Sequence, residues 1–134
     1  MIVVDVNTIA YLWIPGEMTD LAERALARDP HWVAPVLWRS EFRNILAGYI
    51  RRDHLQQDAA LRCLRAAESQ LAGYEYHLPS PLVMELVTRS RCSAYDCEYV
   101  ALATDLGTTL VTSDKQILRE FPEQATSLRG FVQG

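Results

Sequence analysis

Four carboxylates carry the chemistry this 134-residue chain has to offer: Asp5, Glu41, Asp96 and Asp114. Asp5 follows directly on Ile2-Val3-Val4, a β-branched run of the kind that forms a buried strand. Asp114 stands two residues after Thr112, which ends Thr108–Thr112, the strongest later strand pattern. Glu41 has Leu37 and Ile45 four residues to either side and Trp38 three before it, offsets that share one helix face. That spacing sets Glu41 in the middle of an apolar stripe, where a carboxylate is costly unless it is paired or bound to metal. Asp96 precedes Tyr99, Val100 and Ala103 at i+3, i+4 and i+7, so it too falls on an inward face. Glu98 and Asp105 point elsewhere and read as solvated. Four inward or rim carboxylates without matching basic partners suit a metal site. Hard oxygen donors select Mg²⁺ or Mn²⁺ over zinc. Such ions activate water and hold phosphate oxygens during hydrolysis.

Each acid also has a plainer reading. Asp5 fits the cap of a following helix. Ser113 and Gln116 form a capping box, S-x-x-Q, around Asp114. Ser93-Ala94-Tyr95-Asp96 fits S-x-x-D, a helix-start signature. For Glu41 the alternative is a buried ion pair or an interface contact.

The elements that must position these groups alternate along the chain. Strands are expected at Ile2–Val4, Trp32–Ala34, Tyr74–Leu78 and Thr108–Thr112, with a weak last strand at Ser127–Val132. Helices are expected at Met18–Arg28, Val36–Arg52, Leu55–Leu71, Ser80–Arg91, Ser93–Leu106 and Ser113–Glu120. Pro35 sits where a helix can begin, Leu61, Leu64 and Leu71 face inward, and Gly107 is a C-cap. Strand–helix alternation implies parallel strands with helical crossovers on both faces of a sheet. In such sheets the functional cleft lies at the carboxyl ends of the strands, the rim that holds Asp5 and Asp114.

Composition narrows the function further. The length suits one domain, residues 1–134. A net charge of −4, from 17 acidic and 13 basic residues, argues against nucleic-acid binding through a broad basic surface. It leaves room for an enzyme that meets phosphates through bound cations. Cys63, Cys92 and Cys97 include no C-x-x-C pair and read as reduced, packed thiols. His31, His54 and His77 are isolated. The longest apolar run, Val33–Trp38, has six residues, against about 20 for a membrane span. With no basic, apolar leader at the start, a cytosolic protein is the expectation.

The motifs, taken together, resemble those of the PIN-domain ribonucleases, and most closely the VapC-type toxins of toxin–antitoxin systems. They are Val3-Val4-Asp5-Val6-Asn7-Thr8, Ser40-Glu41-Phe42-Arg43-Asn44-Ile45-Leu46, Ser93–Ala103 and Leu110-Val111-Thr112-Ser113-Asp114. Each is short, but their order and spacing cover the whole chain. The resemblance implies a three-layer α/β/α fold with a central parallel sheet of about five strands in the order 3-2-1-4-5. It implies Mg²⁺- or Mn²⁺-dependent endonucleolytic cleavage of RNA. Asp5 and Asp96 then match the primary metal ligands, with Glu41 and Asp114 completing the acidic cluster. Asn7 and Thr112 match supporting polar positions. Cys97 stands where the family usually has alanine, and no expected acid is missing. A small antitoxin protein and a homodimer are implied in the same way.

Arg39, Arg43, Arg89 and Arg91 are candidates to hold the RNA backbone, because Arg pairs with phosphate bidentately. Two rivals stand beside the nuclease. A haloacid-dehalogenase-like phosphohydrolase also starts with a strand ending in Asp, but it needs a second Asp where this chain has Asn7. A non-catalytic binding module would use the acids as helix caps and docking points. Glu41 in an apolar stripe speaks against it.

Overall fold

The computed structural model describes all residues, 1–134. Five short parallel strands form one sheet: β1 (Ile2–Val4), β2 (Trp32–Pro35), β3 (Glu75–Tyr76), β4 (Leu110–Val111) and β5 (Ala125–Thr126). Their order is β3-β2-β1-β4-β5, as the resemblance implied. Eight helices surround them: α1 (Val6–Trp13), α2 (Thr19–Arg28), α3 (Trp38–Arg51), α4 (Gln57–Leu71), α5 (Ser80–Thr88), α6 (Ala94–Leu106), α7 (Lys115–Glu120) and α8 (Leu128–Gln133). The result is a three-layer α/β/α architecture. Helix α6 packs on β1, β2 and β4 with α5 alongside, while α1 to α4 and α8 pack among themselves. None of the helices is long and apolar enough to cross a membrane.

The central strands have no polar face. Ile2, Val3, Val4, Trp32, Val33, Ala34, Leu110 and Val111 are all buried, as expected for a parallel sheet covered on both sides. The middle of helix α6 is likewise enclosed, with Cys97 and Tyr99–Ala103 all buried, while Thr104 and Asp105 near its end are exposed. It ends at Gly107, whose φ of +62° is the left-handed C-cap that glycine adopts without a Cβ penalty.

Several local expectations are corrected. Pro35 closes β2 rather than opening a helix, and α3 begins three residues later at Trp38. Ser127–Val132 is not a strand. The pairing with β4 is made by Ala125–Thr126, and Ser127 accepts from the Gly130 N–H at 2.9 Å to cap α8. Leu71 is buried as expected, but Leu61 is exposed, and Ala60 and Ala67 are the other residues that α4 buries. Helix α7 is capped by Asp114, which accepts from the Ile117 N–H at 2.9 Å, so Ser113 is not the cap of an S-x-x-Q box.

Candidate active site

The carboxyl ends of β1 and β4 are adjacent, and everything at the site follows from that. Parallel pairing sets Val4 beside Val111, so the next residues on the two chains, Asp5 and Thr112, emerge together at the rim. Asp5 is 6% exposed. Its Oδ1 accepts from the Thr8 N–H and the Thr8 hydroxyl, both at 2.8 Å. Its Oδ2 accepts from the Thr112 hydroxyl at 2.7 Å and the Ser113 N–H at 3.0 Å. These four hydrogen bonds fix the orientation of the Asp5 carboxylate. The capping role is therefore real, since Asp5 is the N-cap of α1.

Thr112 is fully buried and extends the network. Its oxygen accepts from the Asp114 N–H at 3.0 Å while its hydroxyl donates to Asp5, so one side chain sets both acids. Asn7 spans the same rim, donating from Nδ2 to the Ser113 hydroxyl at 3.2 Å.

Glu41 and Asp96 arrive from helices. On α3 the buried stripe is Trp38, Phe42 and Leu46. Glu41 lies at its edge, half-buried, rather than in its middle. It has a partner that its own helix could not reveal: the Tyr99 hydroxyl donates to Glu41 Oε1 at 2.6 Å. Asp96 sits in the first turn of α6, where Ser93 caps by accepting the Asp96 N–H at 3.1 Å.

Asp5, Glu41, Asp96 and Asp114 line one cavity of about 100 Å³ together with Asn7, Tyr99, Thr112, Val6 and Ile117. No basic side chain is among them. Burial raises the Glu41 carboxyl above its ordinary value, with Asp96 and Asp5 adding repulsion against the opposing Tyr99 hydrogen bond. Burial also raises Asp96, reinforced by Asp114 and Asp5 and opposed by Ser93. Burial, reinforced by Glu41, pushes the Tyr99 phenol upward. Glu98 is half-buried rather than solvated. It lines a neighbouring apolar hollow with Leu37 and His77 and is raised by burial.

The donor set fits a hard divalent cation. It is all oxygen, lacks a basic neutraliser and carries visible mutual repulsion. No three acidic, His or Cys side chains are closed into a ready ligand cage. Mg²⁺ needs none, since it keeps several waters and binds through one or two carboxylates plus substrate oxygens.

The four arginines lie away from this cavity. Arg39 is committed elsewhere: it grips Glu75 through Nε and Nη2 at 2.8–3.1 Å and Glu68 through Nη1 at 2.6 Å. Arg43 is exposed on a groove between α3 and α4. Arg89 lines a polar cleft beside Glu120 and Glu123. Arg91 is exposed, and its backbone N–H donates to Glu120. The residue that sequence reasoning missed as part of the site is Tyr99. It reads as one more apolar position on α6, and only the placement of α3 against α6 reveals its polar end.

Known proteins agree with this architecture. The PIN domain family model matches residues 2–123. Ribonuclease VapC3 from Pyrobaculum aerophilum is 30% identical over 128 residues, covering 93% of this chain and 98% of that protein. The crystal structure of PAE2754 from the same organism superposes with a TM-score of 0.77 over 98% of this chain and 93% of its own, at 21% identity, a likeness of fold. The match over most of its length, with the strand order and the acidic rim already described, places the chain in the PIN domain family.

Proposed function

We propose that the chain is a metal-dependent endoribonuclease that hydrolyses RNA phosphodiester bonds, and that it acts as the toxin of a toxin–antitoxin pair. The observation that carries this reading is the cavity where Asp5, Glu41, Asp96 and Asp114 meet from four separate parts of the fold. Similarity to a ribonuclease over nearly the whole chain supports the substrate class.

Asp96, Glu41 and Asp114, with Asp5, would hold Mg²⁺ or Mn²⁺. Bound there, the ion would supply a more acidic water and neutralise charge on phosphate oxygens. The chain's own residues do the rest. Thr8, Thr112 and the Ser113 N–H lock the Asp5 carboxylate in one orientation. Thr112 fixes the Asp114 backbone in the same frame. Four carboxylates facing a polyanion would repel it, which makes a cation a condition of binding. The same negative mouth suits a basic side chain of a small inhibitory antitoxin. The resemblance extends the proposal to a homodimer.

The test is cleavage of RNA by the purified protein with Mn²⁺, abolished by EDTA and restored by excess Mn²⁺, with no hydrolysis of small phosphate esters. Cleavage indifferent to EDTA, or no cleavage, overturns the nuclease reading; ester hydrolysis selects a phosphohydrolase. Growth arrest on expression alone, relieved by a small co-expressed partner, is the outcome expected of a toxin.

A further inference from the structure

We infer that Tyr99 is a positioning residue for the acidic site: its hydroxyl holds the Glu41 carboxylate in the orientation from which it engages a divalent cation. The inference rests on the metal-dependent reading above and assigns a part of the machinery to a side chain outside the four acids.

The geometry is specific. Tyr99 lies on α6, one helical turn after Asp96, and Glu41 lies on α3, 58 residues earlier. The Tyr99 ring is buried, with the residue 3% exposed, while its hydroxyl reaches the cavity wall. At 2.6 Å its bond to Glu41 Oε1 is in the short range of charge-assisted O–H···O⁻ contacts. It is the one hydrogen bond the Glu41 carboxylate accepts. Asp5 is gripped by four donors, and Asp114 caps α7. Glu41 hangs at the end of a longer side chain with one anchor. A phenol ordinarily ionises near pH 10, so at neutral pH the anchor is a fixed donor. Held through Oε1, the carboxylate keeps Oε2 without a protein partner and available to a cation or its waters. Because the same α6 turn carries Asp96 and Tyr99, one helix sets one acid directly and the other through a hydrogen bond.

Tyr99→Phe removes the hydroxyl and keeps the ring that fills the core. A melt in EDTA confirms the fold, and a titration with Mn²⁺ then reads binding as thermal stabilisation, independent of catalysis. The Mn²⁺ concentration for half-maximal stabilisation should rise about tenfold, and kcat on RNA at saturating Mn²⁺ should fall roughly 10–100-fold. KM for RNA should stay within about twofold, since a buried ring makes no uniform contact with substrate. Glu41→Asp keeps the charge but draws it back from the hydroxyl, so it should weaken Mn²⁺ binding to a similar degree. Adding Tyr99→Phe to it should cost nothing further. Glu41→Asp at the wild-type Mn²⁺ midpoint would by itself overturn the inference, so the test stands even if Tyr99→Phe folds poorly. A wild-type Mn²⁺ midpoint in Tyr99→Phe, or full additivity of the two changes, overturns the inference. Should Mn²⁺ binding depend on the Tyr99 hydroxyl while wild type leaves RNA intact, the nuclease reading falls and the positioning role stands.

Discussion

The two walls of the acidic cavity are built on opposite principles. On the strand side, Asp5 is buried and accepts four hydrogen bonds, and Thr112 ties it to the Asp114 backbone. On the helix side, Glu41 accepts one hydrogen bond, and both Glu41 and Asp96 are held above their ordinary protonation range by burial and by neighbouring acids. The fold therefore fixes the Asp5 carboxylate in place, while Asp114 accepts one hydrogen bond, from the Ile117 N–H, and adds to the repulsion on Asp96. The helix wall stores unsatisfied charge, which a cation could relieve. A charge that stabilises the apo protein and a charge that waits for a ligand can occupy the same 100 Å³.

Asp5→Asn against Asp96→Asn gives the largest contrast. An amide offers one acceptor oxygen, so the side chain introduced by Asp5→Asn would turn its NH₂ toward the donors of Thr8 or toward the Ser113 N–H. Leaving a buried donor unsatisfied costs about 1–3 kcal/mol. Asp5→Asn should thus lose RNA cleavage and about 2 kcal/mol of stability in EDTA. Asp96→Asn should also lose cleavage, yet melt in EDTA no lower than wild type, since it removes a repelled charge. Chemical denaturation of both variants in EDTA reads the difference. Equal destabilisation by the two would erase the distinction between the walls.

Thr112→Val probes the framework alone. Valine has nearly the shape of threonine but removes the hydroxyl that donates to Asp5 and accepts from the Asp114 N–H. Thr112 is fully buried, so water cannot easily replace it. A loss of about 1–2 kcal/mol is expected, with a smaller drop in cleavage rate than any acid substitution produces. An unchanged melting curve would mean that the strand wall does not depend on this bridge.

What the sequence made legible follows the same division. The β-branched run before Asp5 and the strand before Thr112 place both residues at one rim, because in a parallel sheet the carboxyl ends of all strands lie on the same side. The helix wall depends on how α3 and α6 meet, and no periodicity contains that. Tyr99 therefore read as core, and Glu41 read as central to a stripe whose buried members are Trp38, Phe42 and Leu46. Arg39 looked free because its partners, Glu68 and Glu75, lie 29 and 36 residues away and reach it only through tertiary packing. The last strand was misplaced because Leu128, Phe131 and Val132 look like strand residues. The Ser127 cap turns them into a helix.

The helix wall should also be visible in the pH dependence of stability. Glu41 and Asp96 have folded-state pKa values above their unfolded ones. The folded protein therefore binds more protons than the unfolded chain between those values, and stability falls as pH rises. Their contribution is fully present below the unfolded pKa of about 4 and is lost as pH climbs through the raised values. The difference between wild type and the Glu41→Gln, Asp96→Asn double variant, followed in EDTA from pH 4 upward, isolates this effect. Wild type should lose ground to the variant as pH rises, and Mn²⁺ should reverse the loss. At 100 times its dissociation constant a cation binding only the folded state adds roughly 2.7 kcal/mol. A wild type that gains on the variant with rising pH would place both acids in a stabilising environment.

Glu41→Gln alone is the smallest expected effect and the sharpest test of what the Tyr99 contact is for. Glutamine keeps an acceptor oxygen where Oε1 receives the Tyr99 hydroxyl, and it removes the charge that Asp96 and Asp5 repel. Because Glu41 is only half-buried, solvent screens much of that repulsion, and a gain on the order of 1–3 °C in Tm near neutral pH in EDTA is expected. The stabilising response to Mn²⁺ should shrink, and cleavage should be lost. If the variant melts below wild type in EDTA, the charge-assisted bond to Tyr99 outweighs the repulsion, and Glu41 belongs with Asp5 in the framework. If it melts above, the hydroxyl orients Glu41 without neutralising it, and the unsatisfied charge on the helix wall is what a cation would bind.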